Sequence, residues 1–296
     1  MEQLTMQRAE VRGQAMGSDL HVVVWAPASA KRLAELAAHR VELLEQCWSR
    51  FRPDSELNLL HARAGHGAVP VSEDLHRLVS SLVQAWTWSE GDVDATVLGG
   101  MVAMGYDADF ASVAAAPLPP AWQRVPGQGM GGVRVHAGAV ALPHGVGLDP
   151  GAIGKGLAGD IVTTEIADAG ARAVLVSIGG DVVTHGTPPG TGAWCISLRD
   201  DRTDAREEIG VVTLSGEARA VATSSTLRRR WSGRHHVLDP RTGSPLDSDV
   251  VQASVVADCG WRAEAGATVA LMRGSGAARW LAARGCPARL LEPAHA

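Results

Sequence analysis

From residue 133 onward the apolar residues fall into short runs, and that pattern limits the fold more than any other feature. Strand-like runs are predicted at 133–135, 140–142, 174–178, 194–198, 211–214, 220–223, 235–238 and 250–256. Most are too short for a helix and rich in Val, Ile, Leu or Ala. Helical periods interrupt them at 156–169, 263–272 and 277–284. Strands outnumber helices and several are separated only by turns. An α+β protein with mixed or antiparallel sheets and packed helices therefore fits better than a doubly wound parallel sheet.

The first half has a different texture. Leu20-His21-Val22-Val23-Val24-Trp25 is a buried strand after a polar start. Residues 28–47 carry Leu33, Leu36, Ala37, Val41, Leu44 and Cys47 near a 3.6 spacing, an amphipathic helix. A Pro-Asp-Ser turn at 53–55 leads into a short helix at 56–61, and Ser72-Glu73-Asp74 caps another at 75–89. Residues 114–132 are rich in Pro, Gly and Ala and lack a period, as expected of a long surface loop or a seam between two lobes of one domain spanning 1–296.

A chain of 296 residues with 46% hydrophobic and 20% charged residues can bury a sizeable core, so disorder is not the default. Its net charge of −5 offers no field for nucleic acid or anionic lipid. No apolar run approaches the ~20 residues of a membrane span. The four cysteines have no metal-binding spacing, and the N-terminus lacks a signal-peptide pattern. A cytoplasmic protein with reduced thiols is the expectation. Among 27 basic residues only Lys31 and Lys155 are lysine, so an ammonium at 155 stands out where guanidinium is the norm.

Chemistry-bearing residues gather in four places. Asp149-Pro150-Gly151-Ala152-Ile153-Gly154-Lys155-Gly156 puts a carboxylate, three glycines and a lysine before a helix. Read alone, this is either a turn or a loop that brings backbone amides against phosphate. It is not a Walker A loop, because Gly156 follows the lysine where Ser or Thr is required. Gly179-Gly180-Asp181 is either a tight turn or a strand end opened for a flat ligand. Residues 221–243 crowd hydroxyls, arginines and the pair His235-His236 ahead of a D-P-R-T-G turn, and only one of the two histidines can face a given pocket. Glu264 and Thr268 share a helix face at i and i+4, either as an exposed edge or as oxygen ligands for a cation such as Mg2+.

These elements occur in an order that resembles the ApbE-type FAD:protein FMN transferases. Met16-Gly17-Ser18 is similar to the family's MGT/MGS signature, and the stretch from Ser49 to Asn58 to its S-x-[YWF]-x-P-x-S-E-[IL] segment. Gly91-Asp92-Val93-Asp94-Ala95-Thr96-Val97 resembles G-x-F-D-P-T-V; Asp149 to Gly156 resembles D-L-G-G-I-A-K-G; Val176 to Gly186 resembles the N-x-G-G-D segment. His236 to Gly243 resembles H-I-I-D-P-R-T-G, and Glu264 to Thr268 resembles D-A-L-A-T. Three positions depart from the pattern: Glu264 stands where Asp is usual, Ser225 where Gly is common, and Ser177 where Asn is usual.

The resemblance implies an ApbE-like fold and an enzyme that uses Mg2+, or Mn2+ in its place. Such an enzyme moves FMN from FAD to a Ser or Thr of an acceptor protein and releases AMP. It assigns Met16, Phe51, Asp92, Val93, Asp94, Asp149, Lys155 and Val237 to FAD, the Ala152 carbonyl with Glu264 and Thr268 to the metal, and His236 to the chemistry. Arg241 is expected to add charge at the phosphates. Two alternatives use the same site: an FAD pyrophosphatase with water as acceptor, and a flavin-binding homologue that does not transfer.

Overall fold

The computed structural model describes residues 6–115, 123–216, 218–231 and 233–293. Its centre is a seven-stranded antiparallel sheet with the order Gln7–Ala15, Ser18–Ala26, Ala173–Ile178, Asp181–Gly186, Ala218–Ser225, Gln252–Ala257, Ala288–Leu291. Both faces are covered, so the central strands are continuous apolar runs rather than alternating ones. Val22, Val24, Val174 and Val176 point to a core shared with the helices Ala30–Trp48 and Gly154–Asp168. Val23, Leu175, Val182 and Val221 point the other way. They meet Trp194, Leu198 and Leu214 of the hairpin Trp194–Arg199 and Glu208–Leu214. The helix Gly260–Arg273 packs its alanines against Ala220, Ala222, Ala253 and Val255 on the far half of the sheet.

Two tight turns set the strand order. Met16 and Gly17 have φ of 52° and 65° between Ala15 and Ser18, and Gly179 and Gly180 have φ of 62° and 94° between Ile178 and Asp181. Two successive positive φ values are what a type I′ hairpin loop demands. The polar start is thus an edge strand: Gln7–Ala15 is mostly exposed and carries no apolar signal. The paired glycines do turn the chain, and they lead into a further strand, Asp181–Gly186, that the run-counting missed. The strand Ala288–Leu291 and the helices Leu98–Ala103 and Phe110–Ala115 were missed too.

Elsewhere the expected elements are present with shifted ends. The helix expected at 28–47 is Ala30–Trp48, Glu56–His61 matches, and Glu73–Trp88 starts where Ser72 accepts a bond from the Leu75 amide at 3.2 Å. One strand expectation fails. Residues 235–238 are not one strand; Arg234–His235 and Leu238–Asp239 belong to separate two-stranded ladders, with His236 and Val237 between them. Of the expected loop at 114–132, residues 116–122 lie outside the described residues. Residues 127–129 are held down, Gly127 donating to the Pro240 carbonyl at 2.8 Å and Gly129 to Asp94 at 3.0 Å.

The two helices that carry Lys155 and Glu264 cross at a pair of glycines. A Cβ on Gly156 would stand 2.3 Å from the Gly260 carbonyl oxygen, and one on Gly260 2.3 Å from that of Gly156. Only hydrogen fits there. Asp160, one turn further on, accepts from the Gly260 amide at 2.6 Å and the Trp261 amide at 3.0 Å. It satisfies the free donors at the start of the Gly260–Arg273 helix. Burial still pushes the Asp160 carboxyl up, to about 6.

Candidate active site

The crossing opens onto a cavity of about 630 Å³ lined from all parts of the chain, from Met16 to Met272. That is the size of a site for a small organic ligand or cofactor, for which roughly 300–1,000 Å³ is usual. Met16, Phe51, Asp92, Val93, Asp94, Asp149, Ala152, Lys155, His236, Val237, Glu264 and Thr268 all line it. Every residue singled out for FAD, metal or catalysis therefore comes to one place. Arg241 does not. It lies outside the lining, with its side chain 65% exposed, and its guanidinium turns back to Asp239 at 2.9 Å. The reason is local: the D-P-R-T-G turn bonds the arginine to its own aspartate before it can reach the cavity.

At the floor, Lys155 and Glu264 are in direct contact, and Lys155 Nζ lies 3.0 Å from Asp181. The Gly156 amide donates to Glu264 Oε2 at 2.8 Å. Glu264 is 2% exposed and Asp181 5%. Burial alone would lower the Lys155 pKa, but the Asp181 and Glu264 carboxylates outweigh it and keep the ammonium charged. Burial likewise pushes the Glu264 carboxyl up, against the pull of Lys155. Asp181 was quoted in the sequence only as part of a motif; its second contact, from the Thr223 amide at 3.0 Å, ties the Gly179-Gly180 turn to the Thr223 strand.

Glu264, Thr268 and Ala152 offer a carboxylate, a hydroxyl and a backbone carbonyl at this floor. Thr268 Oγ1 makes only a loose 3.4 Å bond to the Glu264 carbonyl. An all-oxygen set suits a hard cation such as Mg2+. Among the described residues no group of three or more His, Cys, Asp or Glu forms a metal cluster, so a cation here would rest on one carboxylate and neutral oxygens.

Of the two adjacent histidines, His235 bonds the Leu246 carbonyl at 3.0 Å and is structural. His236 lines the cavity, and its Nδ1 is buried with no hydrogen-bond partner. Burial pushes its pKa down to about 3, helped by the positive charges of Arg229 and Lys155. The ring is neutral over the whole physiological range, as a proton acceptor must be.

The upper walls are held by pairs that sequence reading did not find. Asp149 accepts from the Gly151 amide at 2.7 Å and meets Arg50 at 3.0 Å. Arg50 in turn lies over the Phe51 and Tyr106 rings, 4.0 and 4.6 Å from their centroids. Asp92 is bonded by Arg273 from the end of the Glu264 helix. Asp94 caps Ala95–Val97 through the Thr96 amide at 2.9 Å. The Met16 amide donates to Glu45 at 2.7 Å. Behind the loop, His61 accepts from the Leu148 amide at 2.9 Å and sits 3.1 Å from Asn58 Oδ1. Burial pushes His61 down to about 4, which keeps it an acceptor.

Residues 16–290 match the sequence profile described as the ApbE family. The chain belongs to the ApbE family. Among its relatives is the FAD:protein FMN transferase of Klebsiella pneumoniae (strain 342), 36% identical over 119 residues, covering 38% of this chain and 34% of that protein. That of Treponema pallidum (strain Nichols) is 28% identical, covering 78% of this chain and 68% of that protein. The chain thus spans about a third of the first relative and two thirds of the second. In structure it resembles the ApbE protein of Thermotoga maritima MSB8, with a TM-score of 0.82 at 23% identity over 98% of this chain and 96% of that one. The α+β architecture is therefore that of an ApbE protein. None of the described helices is long and apolar enough to cross a membrane.

Proposed function

We propose that this ApbE-family chain transfers FMN from FAD to a Ser or Thr hydroxyl of an acceptor protein and releases AMP. One observation carries the reading: the Lys155 loop and the Glu264 helix are locked together at the floor of the cavity that also holds His236. We take residues 1–296 as one catalytic unit, since the cavity draws on residues from 16 to 272, and place it in the cytoplasm, where its four unpaired thiols stay reduced.

Phe51, 38% exposed at the rim, and Met16 offer apolar faces to the flat rings. The Asp149 turn and its glycines let the backbone approach the diphosphate. Lys155 supplies a point charge there, released from Asp181 and Glu264 as phosphate takes their place. Glu264, Thr268 and the Ala152 carbonyl would hold Mg2+, or Mn2+, which when bound draws negative charge from the bridging phosphates. His236 takes the proton of the acceptor hydroxyl as that oxygen bonds to the FMN phosphorus and the bond to AMP breaks. Because the ring is neutral at pH 7, it is ready without prior deprotonation. Glu264 in place of Asp reaches one methylene further, and the Gly156 amide fixes where its carboxylate ends.

The test is incubation of the protein with FAD, Mg2+ and a threonine-bearing acceptor peptide, followed by mass spectrometry. The expected result is an FMN adduct with one AMP per adduct. Free FMN without adduct would make the chain an FAD pyrophosphatase, and unconsumed FAD would leave only a flavin binder.

A further inference from the structure

Among the described residues seven cationic side chains line the cavity, and most are already neutralised. Arg50 is paired with Asp149, Arg52 with Glu45, Lys155 with Asp181 and Glu264, and Arg206 and Arg228 with Asp201. Arg199 and Arg229 have no carboxylate within ion-pairing distance among the described residues. Arg199 is exposed and bonds the Arg206 carbonyl on the outer hairpin. Arg229 is half-buried and faces inward.

The backbone explains how adjacent arginines part company. Arg229 has φ of 44°, in the left-handed region that a side chain adopts at a cost of roughly 1 kcal/mol or more. The kink sends Arg228 to Asp201 at 2.9 Å and turns Arg229 toward the Met16-Gly17 turn. There its guanidinium donates to Ser18 Oγ at 3.0 Å. Ser18 is the first residue after the Met16-Gly17 turn, and it abuts Gly179, where an added Cβ would stand 2.9 Å from the same Oγ. Both hairpin turns and the Arg229 kink therefore converge on one spot. Lys155 and His236 line the same cavity as Arg229. Two cations and a neutral base face one another across a space that holds no matching anion for Arg229.

We propose that Arg229 grips the diphosphate of the dinucleotide, opposite the Lys155 loop and beside His236. This rests on the cavity being the FAD site. A guanidinium presents a planar fork to phosphate oxygens, and its Ser18 contact holds that fork in advance of binding. The charge of Arg229 gains its counter-ion when the anion arrives.

Calorimetric titration of the full chain with ADP and, separately, with riboflavin tests this without turnover. Arg229→Gln is expected to weaken ADP about tenfold or more, as loss of a charge-assisted hydrogen bond implies, and to leave riboflavin within about twofold. Arg229→Lys is expected to recover part of the loss. Arg241→Gln, the same change of charge outside the cavity, is expected to alter neither. Unchanged ADP affinity in Arg229→Gln overturns the assignment, as does an equal loss for riboflavin, which marks a damaged fold. ADP binding that depends on Arg229 in a chain that transfers no FMN supports the assignment and removes the transferase reading. A wild-type chain that binds neither FAD nor ADP overturns both.

Discussion

Replacing Gly156 by alanine is the most direct perturbation of the helix crossing on which the site is built. The added Cβ would lie 2.3 Å from the Gly260 carbonyl oxygen, 2.4 Å from its carbonyl carbon and 2.8 Å from the Trp261 amide nitrogen. Ordinary contact starts near 3.4 Å, so the helices must part by about 1 Å, and no side chain can yield in their place because every obstructing atom is backbone. Overpacking of this kind costs about 1–3 kcal/mol. For a domain of this size that lowers the melting temperature by roughly 2–12 °C. The same shift stretches the 2.8 Å bond from the Gly156 amide to Glu264 and moves Glu264 away from the Ala152 loop. A misplacement of about 1 Å costs on the order of 100-fold in rate. The assay is covalent flavin fluorescence on an acceptor peptide, run well below the melting temperature. Gly13→Ala, where an added Cβ meets nothing within 4 Å, is the control. Wild-type turnover in Gly156→Ala, whatever its melting temperature, would refute the claim that the crossing positions the catalytic groups.

Other outcomes follow from the same geometry. His236→Ala is expected to keep FAD affinity in calorimetry while FMN transfer falls by about 10²–10⁴; full activity would remove the proton-transfer role. Glu264→Ala is expected to abolish turnover in a way that added Mg2+ does not restore, and turnover that survives in chelator would count against the metal assignment. His61 gives a pH signature. Its pKa falls from 6.5 in the unfolded chain to about 4 in the fold, so between those values the unfolded chain binds the extra proton. The stability it supports is complete above pH 6.5 and is lost as pH drops toward 4, by up to about 3 kcal/mol. His61→Gln keeps an acceptor for the Leu148 amide and cannot titrate. Chemical denaturation of both proteins from pH 7 to 4 is expected to show a shallower fall in the variant, and parallel curves would contradict the neutral-acceptor role.

How much of this was legible in the chain depends on which residues carry an apolar signal. Val22-Val23-Val24 and the 173–178 strand are buried on both faces and declare themselves. Gln7–Ala15 is an edge strand with exposed side chains, and the Met16-Gly17 turn that makes it pair was visible only as a motif. The site residues were legible through the ordered resemblance to the ApbE family, since the glycine loop, Lys155 and the i, i+4 Glu264/Thr268 pair read singly fit a turn or an exposed helix edge as well. What sequence could not supply is pairing at a distance. Nothing in D-P-R-T-G shows that Arg241 folds back on Asp239, and nothing in three consecutive arginines shows that Arg228 pairs with Asp201 while Arg229 reaches Ser18. The ties that hold the walls, such as Arg50 to Asp149 and Arg273 to Asp92, join residues some 100 or more positions apart.

The central claim is that one divalent cation rests between the loop before Lys155 and the helix of Glu264. Crystals grown with FAD and Mn2+ test it through the anomalous signal of the metal. The account expects a single peak within about 2.5 Å of the Ala152 carbonyl, a Glu264 carboxylate oxygen and Thr268 Oγ1. FAD should lie in the cavity, with Lys155 moved from Glu264 to the phosphates. A peak elsewhere, or FAD bound with the Lys155–Glu264 pair intact and no metal, would contradict it.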